Sequence, residues 1–179
     1  MNKEKVLKGG LREKNIFKNN KGNQPLISII TPILNNEKYL QECLNSLHNQ
    51  TYSNYEHIVV DGGSFDKTLD IIKENENKID FWMSKKDRGI YDAFNQGMSL
   101  SRGDIIGFLN SDDYYYSNQT LNYVEEAFRN NHGLHTGDGR SSWTQSSAWP
   151  LSWVFDQGIG TDLDDRYEQF SREDGHRSL

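Results

Sequence analysis

At 179 residues the chain is long enough to bury one hydrophobic core, with room for an appended segment. A formal net charge of −6 gives no electrostatic reason to propose a nucleic-acid partner. The one cysteine, Cys43, excludes an internal disulfide and suits a reducing cytoplasm; no apolar run approaches the length of a membrane span, and the N-terminus lacks the apolar core of a signal peptide.

Residues 1–24 are polar, interrupted by Gly9-Gly10, and basic, with Lys3, Lys5, Lys8, Arg12, Lys14, Lys18 and Lys21 set against Glu4 and Glu13. Such a segment cannot bury enough apolar surface to order itself, so disorder is expected. Its cations would also suit a weak hold on an anionic membrane surface. A regular pattern then begins. Residues 26–31 read as a buried strand ended by Pro32, and 37–49 as a helix with Tyr39, Leu40, Cys43, Leu44 and Leu47 on one face. On that apolar face Cys43 reads as a core residue rather than a reactive thiol. Residues 55–60 form a second strand that runs into Asp61-Gly62-Gly63-Ser64, and Asp66 is placed to cap a helix reaching about residue 74. A third strand over 79–83, a third helix over 90–100, a fourth strand over 104–109 and a fourth helix over 119–129, capped by Asn118, complete the series. Strands alternating with helices of this length imply right-handed crossovers and a parallel sheet flanked by helices. After about residue 130 the texture changes: lysine is absent from 131–179, Asn131 is the last asparagine, and Trp143, Trp149 and Trp153 gather there without a clear strand or helix period.

Three loops follow strand ends: Asp61-Gly62-Gly63-Ser64, Lys86-Asp87-Arg88-Gly89 and Asn110-Ser111-Asp112-Asp113. In a parallel sheet these lie on one edge, where open α/β sheets bind ligands. Glycines at 62, 63 and 89 let backbone approach a ligand closely. Asp61 can accept hydrogen bonds from a base N–H or from ribose hydroxyls, or can cap the helix that follows. Adjacent carboxylates at Asp112 and Asp113 repel unless a cation or donors compensate. They are hard oxygen ligands suited to Mg²⁺ or Mn²⁺ carrying a diphosphate, although Asn-Ser-Asp-Asp is also good turn chemistry. The other phosphate-binding patterns, G-x-x-x-x-G-K-[ST] and G-x-G-x-x-G between the first strand and first helix, are missing. No G-x-S-x-G supports Ser-His-Asp catalysis. His132 and His135 have helical ligand spacing, but no nearby Cys or carboxylate completes a zinc set.

The order and spacing of these pieces resemble the nucleotide-sugar-binding half of a family 2 glycosyltransferase of the GT-A fold, over about residues 25–128. The matching residues are Ile29-Ile30-Thr31-Pro32 with Asn35 and Tyr39-Leu40, then Ser46-Leu47 with Gln50-Thr51, and Val59 to Ser64 with Asp66-Lys67-Thr68. Asp87 to Gly97 and Gly103 to Asp113 complete the set. The branch it is similar to contains bacterial enzymes that build O-antigens and exopolysaccharides. The resemblance implies an α/β GT-A (Rossmann-like) nucleotide-sugar-binding domain over 25–130. It implies donor contacts from Thr31, Asp61 (at the base), Asp87 (near base or ribose) and Asp112, with Asp112 and Asp113 holding a divalent cation, Mg²⁺ or Mn²⁺. It further implies an inverting transfer from a nucleotide-diphosphate sugar to a saccharide or lipid-linked saccharide acceptor. The place of action would be the cytoplasm, or the inner face of the cytoplasmic membrane as a peripheral protein.

Two positions depart from many relatives: Asn110 stands where they have Asp, and Phe94 where they have Arg, which removes one phosphate contact. Residues 131–179 read as an incomplete or altered acceptor half. Glu173-Asp174 superficially resembles the family's general-base motif but sits too close to the metal motif; Asp162, Asp164 and Asp165 are its rivals, and all read as solvated. No catalytic base is therefore assigned. The alternative is a nucleotide-sugar-binding module, truncated or without turnover.

Overall fold

The computed structural model describes residues 6–19, 21, 22, 24–130 and 154–156. Its centre is a parallel sheet formed by the four strands anticipated above. We number the strands β1 (Leu7–Gly9), β2 (Ile27–Ile33), β3 (Tyr55–Asp61), β4 (Phe81–Ser84), β5 (Ile105–Phe108) and β6 (Val154–Asp156), and the helices α1 (Leu40–His48), α2 (Thr68–Glu74), α3 (Ile90–Leu100) and α4 (Thr120–Asn130). The strand order is β1-β4-β3-β2-β5-β6, with β4, β3, β2 and β5 parallel and the two edge strands antiparallel. From β2 the chain moves outward through β3 to β4 and then returns to the other side of β2 as β5. The strand order thus reverses between β2 and β5, which is where open sheets of this kind leave a crevice.

Alternation along the strands sorts side chains between two layers. Ile27, Ile29, Ile33 and Val59 pack toward α1, α2 and α4, with Leu40, Cys43, Leu44, Leu47, Ile72 and Leu121. Ile30, Ile58, Val60, Ile106 and Phe108 pack on the opposite face with Ala93 of α3. α3 lies so close to β2 that a Cβ on Gly97 would fall 2.3 Å from Ile30 Cγ2.

Several expectations move by a few residues, and each shift has a cause. β2 continues through Pro32, because the ladder to β5 ends at the pair Ile30–Phe108 and a proline N–H is not required beyond it. α1 begins at Leu40 rather than residue 37, because Glu37 is tied elsewhere: its N–H donates to Asp66 Oδ2 and its Oε2 accepts from the Lys67 N–H. Asp66 does serve the start of α2, accepting the Thr68 N–H at 3.0 Å. α4 is not capped by Asn118. Ser117 Oγ takes the Gln119 N–H, while the Asn118 carbonyl is committed to the N–H and hydroxyl of Thr51.

The N-terminal segment corrects the expectation of disorder over residues 7–14. It forms β1 against β4, followed by a 3-10 turn at Leu11–Lys14. The order comes from the body of the domain rather than from the segment's own composition. Arg12 donates to Glu56 Oε2 at 2.6 Å and to the Leu100 carbonyl at 2.7 Å. Lys8 pairs with Glu13, Lys14 with Glu76 and Lys18 with Asp80. Lys14 and Lys18 thus face carboxylates of the domain body, including the buried Asp80, whereas Lys8 pairs within the segment. Among the described residues no helix is long and apolar enough to cross a membrane.

A neutral polar chain runs through the α1 side of the core. Thr31 Oγ1 lies 3.0 Å from His57 Nε2, and His57 Nδ1 lies 3.3 Å from His48 Nε2. Burial, reinforced by Lys78 and Lys18, pushes the His48 pKa down to about 4; burial also holds His57 well below the ordinary histidine value. A depressed folded-state pKa means that the unfolded chain binds the proton more tightly. The stabilisation is full above the unfolded value of 6.5 and is lost as pH falls from there toward about 4. For His48 the loss should reach on the order of 2 kcal/mol between about pH 7 and pH 5. Asp80, whose carboxyl is raised by burial, works in the opposite sense. Comparing urea unfolding of wild type and His48→Gln across that range isolates the histidine: the variant should show a flatter dependence, and equal slopes would refute the assignment.

Candidate active site

The C-terminal ends of β2, β3, β4 and β5 present their loops on one edge, and side-chain hydrogen bonds stitch those loops together. Asp61, the last residue of β3, is fully buried. Its Oδ1 accepts from the Ser64 hydroxyl, and its Oδ2 from the Ser84 hydroxyl at the end of β4 and the Gly63 N–H. The Ser64 N–H adds a further donor at 3.1 Å from Oδ2. A carboxylate buried under these donors is tolerable because each lone-pair direction is occupied. Gly63 takes φ +88°, a conformation that needs glycine there.

Asp87 is half-buried and lies directly on this loop: a Cβ on Gly62 would sit 2.8 Å from its Oδ2. Its Oδ1 accepts the Gly89 N–H at 2.9 Å, which fixes the turn leading into α3. The loop after β2 joins from the other side. Asn35 receives the Phe65 N–H on Oδ1 and donates its own N–H to Ser64 Oγ. Asn36 reaches the loop after β5, donating through Nδ2 to Ser111 Oγ at 2.9 Å.

In the loop after β5, the Asn110 carbonyl accepts the Asp113 N–H at 3.0 Å, and Asn110 Nδ2 donates to Asp113 Oδ2 at 3.2 Å. The turn chemistry and the two carboxylates are therefore both present. Asp112 is exposed and Asp113 half-buried, and Asn110 Oδ1 is a buried oxygen without a hydrogen-bond partner. Two hard carboxylates beside an unpartnered amide oxygen suit Mg²⁺ or Mn²⁺, which take oxygen ligands and complete their shell with phosphate oxygens and water. Among the described residues no third acidic, His or Cys side chain joins them. Beneath the loop, the Cys43 thiol donates to the Asn110 carbonyl at 3.4 Å. Burial, and secondarily the nearby Asp113 and Asp112, push its pKa to about 12, so it behaves as a core thiol.

Of the residues singled out from the sequence, Asp61 and Asp87 share one contact zone, and Asp112 and Asp113 are linked to it through Asn36 and Ser111. Thr31 is not presented at this edge. It is fully buried in β2 with its hydroxyl against His57. Phe94 packs edge-on against Phe108, with ring centroids 4.5 Å apart. Ser84 and Asn36 were missed; the available signal was a hydroxyl at a strand end and a second Asn beside Asn35. His132, His135, Asp162, Asp164, Asp165 and Glu173-Asp174 lie outside the described residues.

This fold is that of a GT-A domain, with the strand-end loops gathered on one edge. Residues 28–172 match the model of glycosyl transferase family 2, and the chain belongs to that family. It is 40% identical over 95 residues to an uncharacterized glycosyltransferase of Haemophilus influenzae, covering 51% of this chain and 38% of that protein. It is 41% identical over 100 residues to a PGL/p-HBAD biosynthesis glycosyltransferase of Mycobacterium tuberculosis, covering 54% and 39% respectively. Among solved structures, it superposes on Staphylococcus aureus TarS 1-349 in complex with UDP-GlcNAc with a TM-score of 0.54 and 28% identity, covering 70% of this chain and 36% of that one. The matched region thus spans less than two fifths of each of these proteins.

The hydrogen bonds of Asp61 generate a stability prediction. Asp61→Asn, which places an amide against four donors, should destabilise the chain by about 2–3 kcal/mol, and Ser84→Ala by about 1 kcal/mol. Urea denaturation measures both; a Ser84→Ala cost equal to that of Asp61→Asn would show that the other donors contribute little.

Proposed function

We propose that this chain carries the donor- and metal-binding part of a glycosyltransferase that moves a sugar from a nucleotide-diphosphate sugar to an acceptor hydroxyl. The observation that carries the reading is the single stitched edge, where the Asp61, Asp87 and Asp112-Asp113 loops meet at the reversal of strand order. Family membership and the likeness to TarS bound to UDP-GlcNAc support it. Asp87 and Asp112 are the groups open to a donor. Asp61 serves it from below by fixing the Gly62-Gly63-Ser64 backbone, whereas Thr31 is buried in β2 against His57.

A divalent cation held by Asp112 and Asp113 would neutralise the charge that develops on the departing diphosphate. The protein's own part is to hold the nucleotide against the edge, keep the anomeric carbon facing the open side, and orient the diphosphate toward Asp112. An acceptor hydroxyl then attacks in line, its proton passing to a carboxylate. That attack inverts the anomeric centre. We assign donor and metal binding to residues 25–130 and acceptor binding to the region from 131 onward. The acceptor is a saccharide or lipid-linked saccharide of cell-surface polysaccharide synthesis, met in the cytoplasm at the inner face of the membrane.

Asp112→Ala and Asp113→Ala should each abolish the Mn²⁺-dependent part of donor binding. Calorimetric titration with UDP- and GDP-linked sugars, with Mn²⁺ and with EDTA, reads this directly. Donor affinity that is the same in wild type and both variants under either condition would sink the metal assignment. Transfer to an acceptor excludes a module that only binds.

A further inference from the structure

The segment after β5 alternates in exposure. Asp112, Tyr114 and Tyr116 are exposed, whereas Ser111 is buried and Asp113, Tyr115 and Ser117 are half-buried. Most of the less exposed positions are held by α1 and the residues on either side of it. Cys43 takes the Asn110 carbonyl, and Asn36 takes the Ser111 hydroxyl. Ser46 Oγ accepts the Tyr115 N–H at 3.0 Å and donates to the Cys43 carbonyl at 2.8 Å, so both its proton and a lone pair are used. Gln50, only 9% exposed, donates through Nε2 to the Ser117 carbonyl at 2.7 Å and accepts the Leu121 N–H through Oε1 at 3.0 Å. Cys43, Ser46 and Gln50 are spaced three and four residues apart, the spacing that aligns side chains along one side of a helix.

We propose that Ser46 and Gln50 are positioning residues for the cation-binding loop, setting which face of residues 110–117 carries Asp112. The inference rests on the reading of Asp112 and Asp113 given above. Its physical basis is that the Asn110–Asp113 turn carrying Asp112 and Asp113 runs into irregular chain, whose course is set where the Tyr115 N–H and the Ser117 carbonyl are bound by Ser46 and Gln50. Ser46 of α1 holds Tyr115, and Gln50, two residues beyond α1, holds Ser117 and Leu121, whereas the Asn110–Asp113 turn alone constrains only its own four residues. Neither Ser46 nor Gln50 approaches the donor; both act through the backbone that carries the carboxylates.

Mn²⁺ titration of the 179-residue chain, followed by the electron paramagnetic resonance of free Mn²⁺ with UDP or GDP as nucleotide, tests this. Ser46→Ala and Gln50→Ala should each weaken Mn²⁺ binding in the nucleotide complex about tenfold, while nucleotide binding in EDTA changes by less than about twofold. Ser46→Thr, which keeps the hydroxyl, should restore the wild-type Mn²⁺ affinity; a merely structural loss would move both readouts together. If Gln50→Ala loses its cooperative unfolding transition, Ser46→Ala decides alone, because it removes one hydroxyl and no packing. Wild-type Mn²⁺ affinity in folded Ser46→Ala overturns the proposal. Asp113→Ala in the same titration separates the two readings. If it abolishes Mn²⁺ binding while Ser46→Ala does not, only the positioning role fails; if it has no effect, the metal assignment fails with it.

Discussion

Two carboxylates taken wholly out of water, one at each end of β3, constrain where the rest of the chain can lie. Glu56 and Asp61 are 1% and 0% exposed, and neither burial is tolerable without donors supplied by other segments. Glu56 draws Arg12 from the N-terminal segment, the Ser28 hydroxyl from β2 and the Arg102 N–H from the turn before β5. Asp61 draws the Gly63-Ser64 backbone and the Ser84 hydroxyl from β4. Removing the charged partner of a buried ion pair such as Arg12–Glu56 typically costs about 3–5 kcal/mol, more than the loss of a neutral donor such as the Ser84 hydroxyl. The first set fixes the floor of the sheet and the second its ligand-facing edge.

That arrangement explains why the site edge is ordered while its chemistry stays open. The buried polar groups, Asp61, Ser84 and the Thr31–His57–His48 chain, have partners inside the protein and set backbone positions. The groups left facing outward, Asp87 and Asp112, sit on backbone fixed by those partners. Small residues are required where loops close on one another: at Gly62 a side chain would displace Asp87, and at Gly97 it would force α3 away from β2. Loop precision here comes from the sheet and from α1 rather than from the loops' own turn propensity.

The parallel core and the three strand-end loops were legible in the sequence because they rest on local signals. β2 and β3 announce themselves as continuous apolar runs, α1 by its apolar face, and the loops by Gly and Asp at strand ends. What was not legible depends on partners far along the chain. Nothing near Arg12 shows that it will meet Glu56, forty-four positions away, and without that partner the segment's composition argues for disorder. Asn118 is as good a cap as Ser117 in isolation; in the fold it is the Ser117 hydroxyl that accepts the Gln119 N–H, and the Asn118 carbonyl binds Thr51. Thr31 resembled a ligand contact by its place in a motif, but the parity of β2 turns it toward His57 instead. Strand β6, which pairs antiparallel with β5 through Val154–Asp156, falls in a region whose sequence has no strand period to announce it.

The same edge carries carboxylates of two physical kinds. Asp61 has its charge offset entirely by protein donors, so it holds structure and has little left to offer a ligand. Asp113 receives one amide donor from Asn110, and Asp112, exposed beside it, accepts no hydrogen bond among the described residues. Two adjacent carboxylates so thinly supplied by the protein are open to an outside positive charge. A turn needs Asp113 for its backbone and side-chain bonds to Asn110, but it has no use for a second acid at 112. The surplus acid, rather than the acidic pair as such, is what distinguishes a loop arranged for a cation from one that merely reverses the chain.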